Sequence, residues 1–382
     1  MAFPFDIGFL GGGQLARMSI MAAQRMGLSC LSLDPAETTP ASLVAPAIQG
    51  RLDDPEALAP VFGQCAMVTL ENEFVPAKVI RKALQMTGRA PNTLIPNVEA
   101  LEVIQDKLTQ RQALAKAGVP SPKAVPLDGD GALAVSKIGF PMVLKARFGG
   151  YDGKGTRFAK DANELEGFAH LWGSGGGWLA EEYVPFKREL AVMVFVGRHG
   201  VGSFPTMESV QTNHVCDVVF PAEADGSSIA AAAVAAVGGI GLFGVELFET
   251  QDGKLMVNEL APRPHNTGHY TLDWGGVSQF EQHVRMVLGI PPAPVDGVEA
   301  AMANLLGIEH AGDWRKGLVA AIGEDPAVRV HWYGKAESRL GRKMGHINAA
   351  GPGALERVRA ARERFYRAWG DQGTTNDSDG PG

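Results

Sequence analysis

The chain alternates short apolar runs with longer segments whose apolar positions recur every three or four residues. Residues 5–10, "FDIGFL", are a nearly continuous apolar run closed by "GGG", which predicts a buried strand. "QLARMSIMAAQRM" follows with helical composition, and "GLSCLSLD" supplies a second strand ending in Asp34. Strand, helix, strand is a βαβ unit, and the rhythm continues through "AMVTLENEF" and "LQMTGRAPN". Residues 1–96 are therefore expected to form a small doubly wound α/β, Rossmann-like domain. "NVEALEVIQDKLTQRQALAKAG" predicts one helix from Asn97, ended by Gly118. From Gly139 to Ala261 the pattern shifts to strands, hairpins and glycine-rich turns, with helices near 161–171 and 228–238. That makes 97–292 an α+β region. "PPAPVDG" reads as a linker before a small unit, 298–369, and the tail 370–382 has the polar, Pro/Gly-rich composition of a disordered segment. No internal repeat interrupts this order.

Composition narrows the class. With 45% hydrophobic and 20% charged residues, 382 residues can bury a large core. A formal charge of -7 argues against a general nucleic-acid binder. No apolar run approaches the roughly 20 residues of a membrane helix, and the N-terminus has no signal-peptide pattern. Cys30, Cys65 and Cys216 lack metal or redox spacing and read as buried free thiols of a reducing compartment.

Two glycine loops carry candidate chemistry. Gly11, Gly13 and Ala16 after the first strand, with Asp34 about twenty residues on, fit a dinucleotide fingerprint. The alternatives are a tight packing turn, or a loop holding another small anion. The second loop, "GGYDGKG", joins a strand carrying Lys145 to a resumed strand, "TRFA". Strand–loop–strand is not a Walker A motif, but such a hairpin can fold over triphosphate oxygens. "WLAEEYV" then puts Glu181 and Glu182 on opposite faces of a strand, and Val184 offers an apolar wall for an adenine. Glu189, in an apolar strand, needs a partner such as a ribose hydroxyl.

The acids Glu246 and Glu259 make the sharpest argument. Asp252-Gly253 signals a two-residue hairpin turn, whose register sets Glu246 directly opposite Glu259. Facing carboxylates among apolar neighbours call for a cation between them, and Mg²⁺ suits carboxylates plus phosphate oxygens. A register slip of one would separate them. Beyond Glu259, "NELAPRPHNTGHYT" gathers Arg263, His265 and Asn266 on a proline-stiffened loop, with Arg263 suited to a planar anion.

Together with "GFLGGGQLARM", "VTLENEFV", "EEYVPFKRELAV" and "YGKAESRLGRKMGHI", these stretches resemble the ATP-grasp superfamily. Within it they are closest to the N5-carboxyaminoimidazole ribonucleotide synthetase family of purine biosynthesis. The resemblance runs in order from Gly8 to Ile347. It implies an ATP-grasp fold with an N-terminal Rossmann-like domain and a small C-terminal domain. It implies ATP contacts at Lys107, Lys145, Gly150, Tyr151, Asp152, Gly153, Lys154, Gly155, Thr156, Glu181, Glu182, Tyr183, Val184, Glu189, His214, Asn258 and Glu259, with Mg²⁺ on Glu246 and Glu259. Gln14, Glu73 and Tyr151 are implied on the aminoimidazole ribonucleotide, and Lys335, Arg342 and Lys343 on its phosphate. Asp152, Lys154, Arg263, His265 and Asn266 are implied in catalysis, the last three around bicarbonate and a carboxyphosphate intermediate. A cytoplasmic homodimer, with no nucleic-acid or membrane partner, is the implied setting. Thr156 stands where many members have Gln, and "ESVQTNHVCDVVFPA" departs from the usual pattern around His214. The competing readings are a formate-using ATP-grasp ligase and a non-catalytic Rossmann-type nucleotide binder.

Overall fold

The computed structural model describes residues 3–150, 155–172, 177–212 and 214–370. Tyr151, Asp152, Gly153 and Lys154, and the tail beyond Gly370, lie outside the described residues.

The N-terminal unit contains β1 (Phe5–Leu10), α1 (Gln14–Arg25), β2 (Cys30–Asp34), β3 (Ala47–Gln49), α2 (Pro55–Gln64), β4 (Cys65–Leu70) and α3 (Ala77–Thr87). Its four strands are parallel in the order β3-β2-β1-β4. Both faces are covered, which explains why β1 is apolar beyond Asp6. Leu10 packs in a cluster with Leu58, Phe62, Ile80 and Leu84 of α2 and α3. Ile7 and Phe9 pack on the other side with Ile20.

The single helix expected over 97–118 is two helices, α4 (Val98–Gln105) and α5 (Lys107–Lys116). Asp106 breaks the run with extended backbone, φ -103° and ψ 103°, and its carboxylate caps α5 by accepting from Leu108 N–H at 3.1 Å. Aspartate favours a cap over a helix interior because its side chain satisfies an orphan N–H.

A small lobe follows: β5 (Ala124–Pro126), α6 (Ala132–Lys137), β6 (Met142–Ala146), β7 (Thr156–Ala159), α7 (Ala162–Gly167) and β8 (Trp178–Glu182). Its antiparallel sheet runs β5-β8-β6-β7. Lys145 faces Thr156 across β6 and β7, so the second glycine loop does join two paired strands.

The large lobe is built on β9 (Phe186–Gly197), β10 (Gly200–Ser203), β11 (Met207–Thr212), β12 (Val215–Pro221), α8 (Ser227–Ala236), β13 (Gly241–Thr250) and β14 (Leu255–Ala261). A 3₁₀ turn, Asn266–Leu272, leads into α9 (Gln279–Leu288). Helix α9 starts where Ser278 accepts from Glu281 N–H at 3.1 Å and stops at left-handed Gly289. Its Phe280, Val284 and Val287 are fully buried, worth about 2 kcal/mol each. Val284 and Val287 join the cluster of Ile7 and Phe9, which docks the N-terminal unit onto the lobe.

The C-terminal unit, β15 (Ala300–Leu306), α10 (Trp314–Gly323), β16 (Arg329–Trp332), β17 (Lys343–Ala350) and α11 (Ala354–Gly370), adds its strands to the same sheet. The nine strands run β14-β13-β9-β11-β12-β15-β17-β16, with β10 beside β9. Cys30, Cys65 and Cys216 are buried free thiols.

Candidate active site

The first glycine loop is already filled by the protein. The Glu71 carboxylate sits at the N-terminus of α1 and accepts from Leu15 N–H at 3.4 Å. A Cβ on Gly13 would lie 2.2 Å from Glu71 Oε1, so the absence of a side chain at Gly13 makes room for that carboxylate. Asp34 turns inward and accepts from Gly12 N–H at 2.8 Å and Ala36 N–H at 2.9 Å. The dinucleotide reading of this motif is therefore overturned: both of its anion positions belong to the chain's own carboxylates. Burial pushes the Glu71 carboxyl up, partly offset by the hydrogen bond from Asn72. Gln14, the first residue of α1, is half-buried beside this loop.

Glu246 and Glu259 face each other across β13 and β14, and they do so through two offsetting shifts. The turn is one residue longer than expected: Gly253 N–H donates to Thr250 O, and Thr250 N–H to Lys254 O. Near the turn Leu247 therefore pairs with Val257, which would carry Glu246 to Asn258. A β-bulge at Asn258 adds the missing residue and restores the Glu246–Glu259 pair. The bulge also lets two neighbouring residues each reach a lysine. Asn258 Oδ1 lies 3.5 Å from Lys145 Nζ, and Glu259 is ion-paired with Lys107.

Arg111, which sequence reasoning missed, holds the bulge in place. Its guanidinium donates to the carbonyls of Val257 (3.2 Å) and Asn258 (2.7 Å) and to Glu181 Oε1 (2.8 Å). Lys145 Nζ lies 2.7 Å from the other Glu181 oxygen. Burial alone would push the Glu181 carboxyl up, but Arg111 and Lys145 outweigh it and hold it at about 2. Glu181 thus works as a buried counter-ion for two cations. Glu182 points the opposite way and accepts from Lys123 N–H at 3.3 Å. Tyr183 is exposed and stacks edge-on to Phe158, while Val184 is buried. Glu189 is half-buried on β9, raised by burial and eased by a hydrogen bond with Gln211.

Asp106 and Arg147 are also missed residues. Arg147 Nε donates to Asp106 Oδ1 at 2.9 Å, and Lys107 N–H donates to Arg147 O at 3.0 Å. This clasp ties α5 to the strand end that launches the second glycine loop, bringing Lys107 and Lys145 to the same acids. An Asp between two helical stretches was the available cue. Gly150 lines a cavity of about 310 Å³ that is also bordered by Glu73, Lys107, Phe148 and Glu259. Gly155, at φ 80°, and Thr156 close the far end of the loop. His214 is exposed in the β11–β12 turn at φ 63°, a left-handed conformation that costs a non-glycine residue about 1 kcal/mol.

Glu246 is pushed up by burial and then by Glu259 and Glu189, whereas Lys107 keeps Glu259 ionised against the same burial. His265 Nε2 stands 3.5 Å from Glu246 Oε1, and its Nδ1 meets Thr267 Oγ1 at 2.8 Å. Gly244 makes room for that ring, since a Cβ there would lie 2.5 Å from His265 Cβ. Burial, then Arg263 and Lys343, hold His265 neutral. Arg263 pairs with Glu73 of the N-terminal unit, its Nη2 donating to Glu73 Oε1 at 2.9 Å. The two residues expected on different substrates therefore meet each other. Asn266 does not hang freely over the site: it is buried, with its amide paired to Asn304.

The three basic residues of the C-terminal unit divide. Lys343 opens β17, and its charge acts on both Glu246 and His265. Lys335 Nζ donates to Lys343 O at 2.6 Å. Arg342, just ahead of β17, is exposed and donates to Glu337 O at 3.0 Å.

Two carboxylates and an amide oxygen are a fitting set for a divalent cation whose other ligands are phosphate oxygens and water. Among the described residues no group of three His, Cys, Asp or Glu could hold a metal alone. No described helix is long and apolar enough to cross a membrane.

Three family models match the chain in sequence: a ribonucleotide synthetase preATP-grasp domain over 5–105, an ATP-grasp domain over 112–280, and a phosphoribosylaminoimidazole carboxylase C-terminal domain over 300–360. The N5-carboxyaminoimidazole ribonucleotide synthase of Synechococcus elongatus is 38% identical over 367 residues, covering 93% of this chain and 91% of that protein. That of Mycobacterium bovis is 39% identical, covering 90% and 83%. The ADP complex of the Staphylococcus aureus synthetase superposes with a TM-score of 0.84 at 31% identity, over 96% of this chain and 98% of that one. An Aspergillus clavatus structure with ADP and 5-aminoimidazole ribonucleotide matches with the same TM-score at 28% identity, over 96% and 100%.

Proposed function

The chain belongs to the N5-carboxyaminoimidazole ribonucleotide synthase family, and from that membership we infer that it uses ATP to carboxylate 5-aminoimidazole ribonucleotide on nitrogen, a step of purine biosynthesis. The observation that carries the site assignment is the bulged strand end, where Asn258 and Glu259 turn together toward Lys107, Lys145 and the facing Glu246.

The carboxyl donor in this reading is bicarbonate. Bicarbonate is a poor electrophile, so its oxygen first attacks the γ-phosphate of ATP, giving carboxyphosphate and ADP. Lys107 and Lys145 offset the charge that gathers on the transferred group. Glu246, Glu259 and Asn258 would hold Mg²⁺, which supplies further charge neutralisation at the phosphates. Arg263 and His265 bracket the carboxyl group, His265 as a neutral ring that hydrogen-bonds to it. The amine of the ribonucleotide then attacks the activated carboxyl carbon, releasing phosphate. Lys335 and Lys343 serve the ribonucleotide's 5′-phosphate, and Glu73 its ring side. Gln14 faces the same substrate. Asp152, Lys154 and Tyr151 keep the roles that the resemblance implies. A homodimer in the cytoplasm is the expected setting, which the buried free thiols suit.

ADP release, measured with ATP, the ribonucleotide and bicarbonate, then with formate in place of bicarbonate, tests this reading, beside a third mixture without ATP in which NAD(H) redox turnover is followed by its absorbance. Turnover is expected in the first mixture alone. Turnover with formate would move the chain to another acceptor chemistry.

A further inference from the structure

The loop that carries Arg263 and His265 is held down by side chains of the C-terminal unit. In the 3₁₀ turn Asn266–Leu272, residues three apart share a face, so Asn266 and His269 stand side by side. Opposite them, Asn304 of β15 and His346 of β17 are direct cross-strand partners and also share a face. The two faces meet pairwise. His269 and His346 pack with ring centroids 5.0 Å apart. Asn266 and Asn304 exchange two hydrogen bonds: Asn266 Nδ2 donates to Asn304 Oδ1 at 3.0 Å, and Asn304 Nδ2 donates to Asn266 Oδ1 at 2.6 Å.

Asn304 is fully buried, and its Nδ2 also donates to Cys216 O on β12 at 2.7 Å. Its orientation is thereby set from outside the pair. An amide has two donor hydrogens and two acceptor lone pairs. The reciprocal pairing uses one of each on Asn266 and leaves one N–H and one lone pair, in a fixed plane. Bicarbonate both accepts and donates hydrogen bonds, so the remainder is its complement.

We infer that Asn304 is a positioning residue for the carboxyl donor, fixing the amide plane of Asn266 from the C-terminal unit. This rests on the reading that Asn266 serves bicarbonate. Asn304 touches no reacting atom; it acts through its neighbour. The consequence is specific to one substrate, because the lysines and acids that serve ATP lie on α5, β6, β13 and β14, whereas the hydrogen bonds of Asn304 go to Asn266 and to β12.

The test compares Asn266→Ala, Asn304→Ala and the double variant in the full-length enzyme, by steady-state ADP release, with separate KM values for bicarbonate and ATP. Each single change should raise the bicarbonate KM by about tenfold, the loss of one good hydrogen bond. The ATP KM should stay within about twofold, and the double variant should be no worse than Asn266→Ala. Additive effects in the double variant, or equal changes for ATP and bicarbonate, would overturn the inference. A normal bicarbonate KM in Asn304→Ala beside a raised one in Asn266→Ala would also overturn it, while sparing the role of Asn266. Normal values in both would sink the role of Asn266 and this inference with it. If Asn304→Ala does not fold, as judged by its thermal transition, Asn304→Ser carries the same comparison.

Discussion

Arg263 and Glu73, 190 residues apart in sequence, form a two-pronged ion pair across the seam between the N-terminal unit and the large lobe. Both side chains are mostly buried, so neither charge is well hydrated if its partner is lost. Glu73→Ala should destabilise the protein by roughly 3 kcal/mol in urea denaturation, because the guanidinium is left uncompensated. The double variant Glu73→Ala/Arg263→Ala should cost less than the sum of the singles by about 1–3 kcal/mol. Simple additivity would mean that the pair contributes nothing in solution.

Glu259 is the acid that Lys107 keeps charged. Glu259→Gln retains the shape and removes the charge. ADP release at saturating ATP should fall by at least ~100-fold, in line with losing a group that stabilises transition-state charge. Near-normal turnover would remove Glu259 from the phosphate site.

Arg111→Met should lower the thermal midpoint by several degrees, since Glu181 and two bulge carbonyls lose their shared donor and a broken buried pair costs about 3–5 kcal/mol. The same variant should raise the ATP KM, because the bulge sets Asn258 and Glu259. A stability loss with unchanged ATP KM would show that the bulge holds itself.

These residues also mark what could be read in advance. The facing of Glu246 and Glu259 followed from the Asp252-Gly253 turn, yet it holds only because a longer turn and a bulge cancel. Neither is encoded by a short motif. Local signals located both glycine loops and the strands beside them, because turn chemistry and apolar runs are local. Arg111, the Asp106–Arg147 clasp and the Glu71 plug were missed because their partners are distant in sequence: Arg111 bonds Glu181, 70 residues on, and Glu71 fills a loop 56 residues back. The fingerprint at Gly11–Ala16 left three readings open for the same reason, since the carboxylate that fills it comes from just past the end of β4.

Acid should act through buried histidines. Burial lowers His269 and His283 to about 3, and lowers His265 and His346 as well. The unfolded chain protonates these rings below about pH 6.5, whereas the folded chain does not until much lower pH. Their folded affinity for protons is reduced, so stability is complete above pH 6.5 and falls as pH drops through that window. His283, hydrogen-bonded to Thr69 at 2.9 Å, is the cleanest probe because it lies outside the site. Relative to wild type, His283→Gln should lose about 2 kcal/mol less between pH 7 and pH 5. Parallel pH profiles would show that the buried ring is charged in the fold.

Lys343→Ala should raise the KM for the ribonucleotide by roughly 10- to 100-fold, with Arg342→Ala within about twofold of wild type. The contrast follows from placement: Lys343, the first residue of β17, acts on Glu246 and His265, whereas Arg342 just before the strand is exposed. Equal effects from the two would place the phosphate elsewhere.

The continuous sheet makes the last third of the chain inseparable from the rest. Val218 and Val219 of β12 pair with Ala303 and Met302 of β15. A chain cut ahead of residue 298 would bare a long apolar strand edge, and such an edge recruits other chains. The truncated protein would therefore be adhesive as well as inactive. Shuffling, splitting or fusing this protein should respect that seam, and breaks belong at exposed turns such as the one between Gln251 and Gly253.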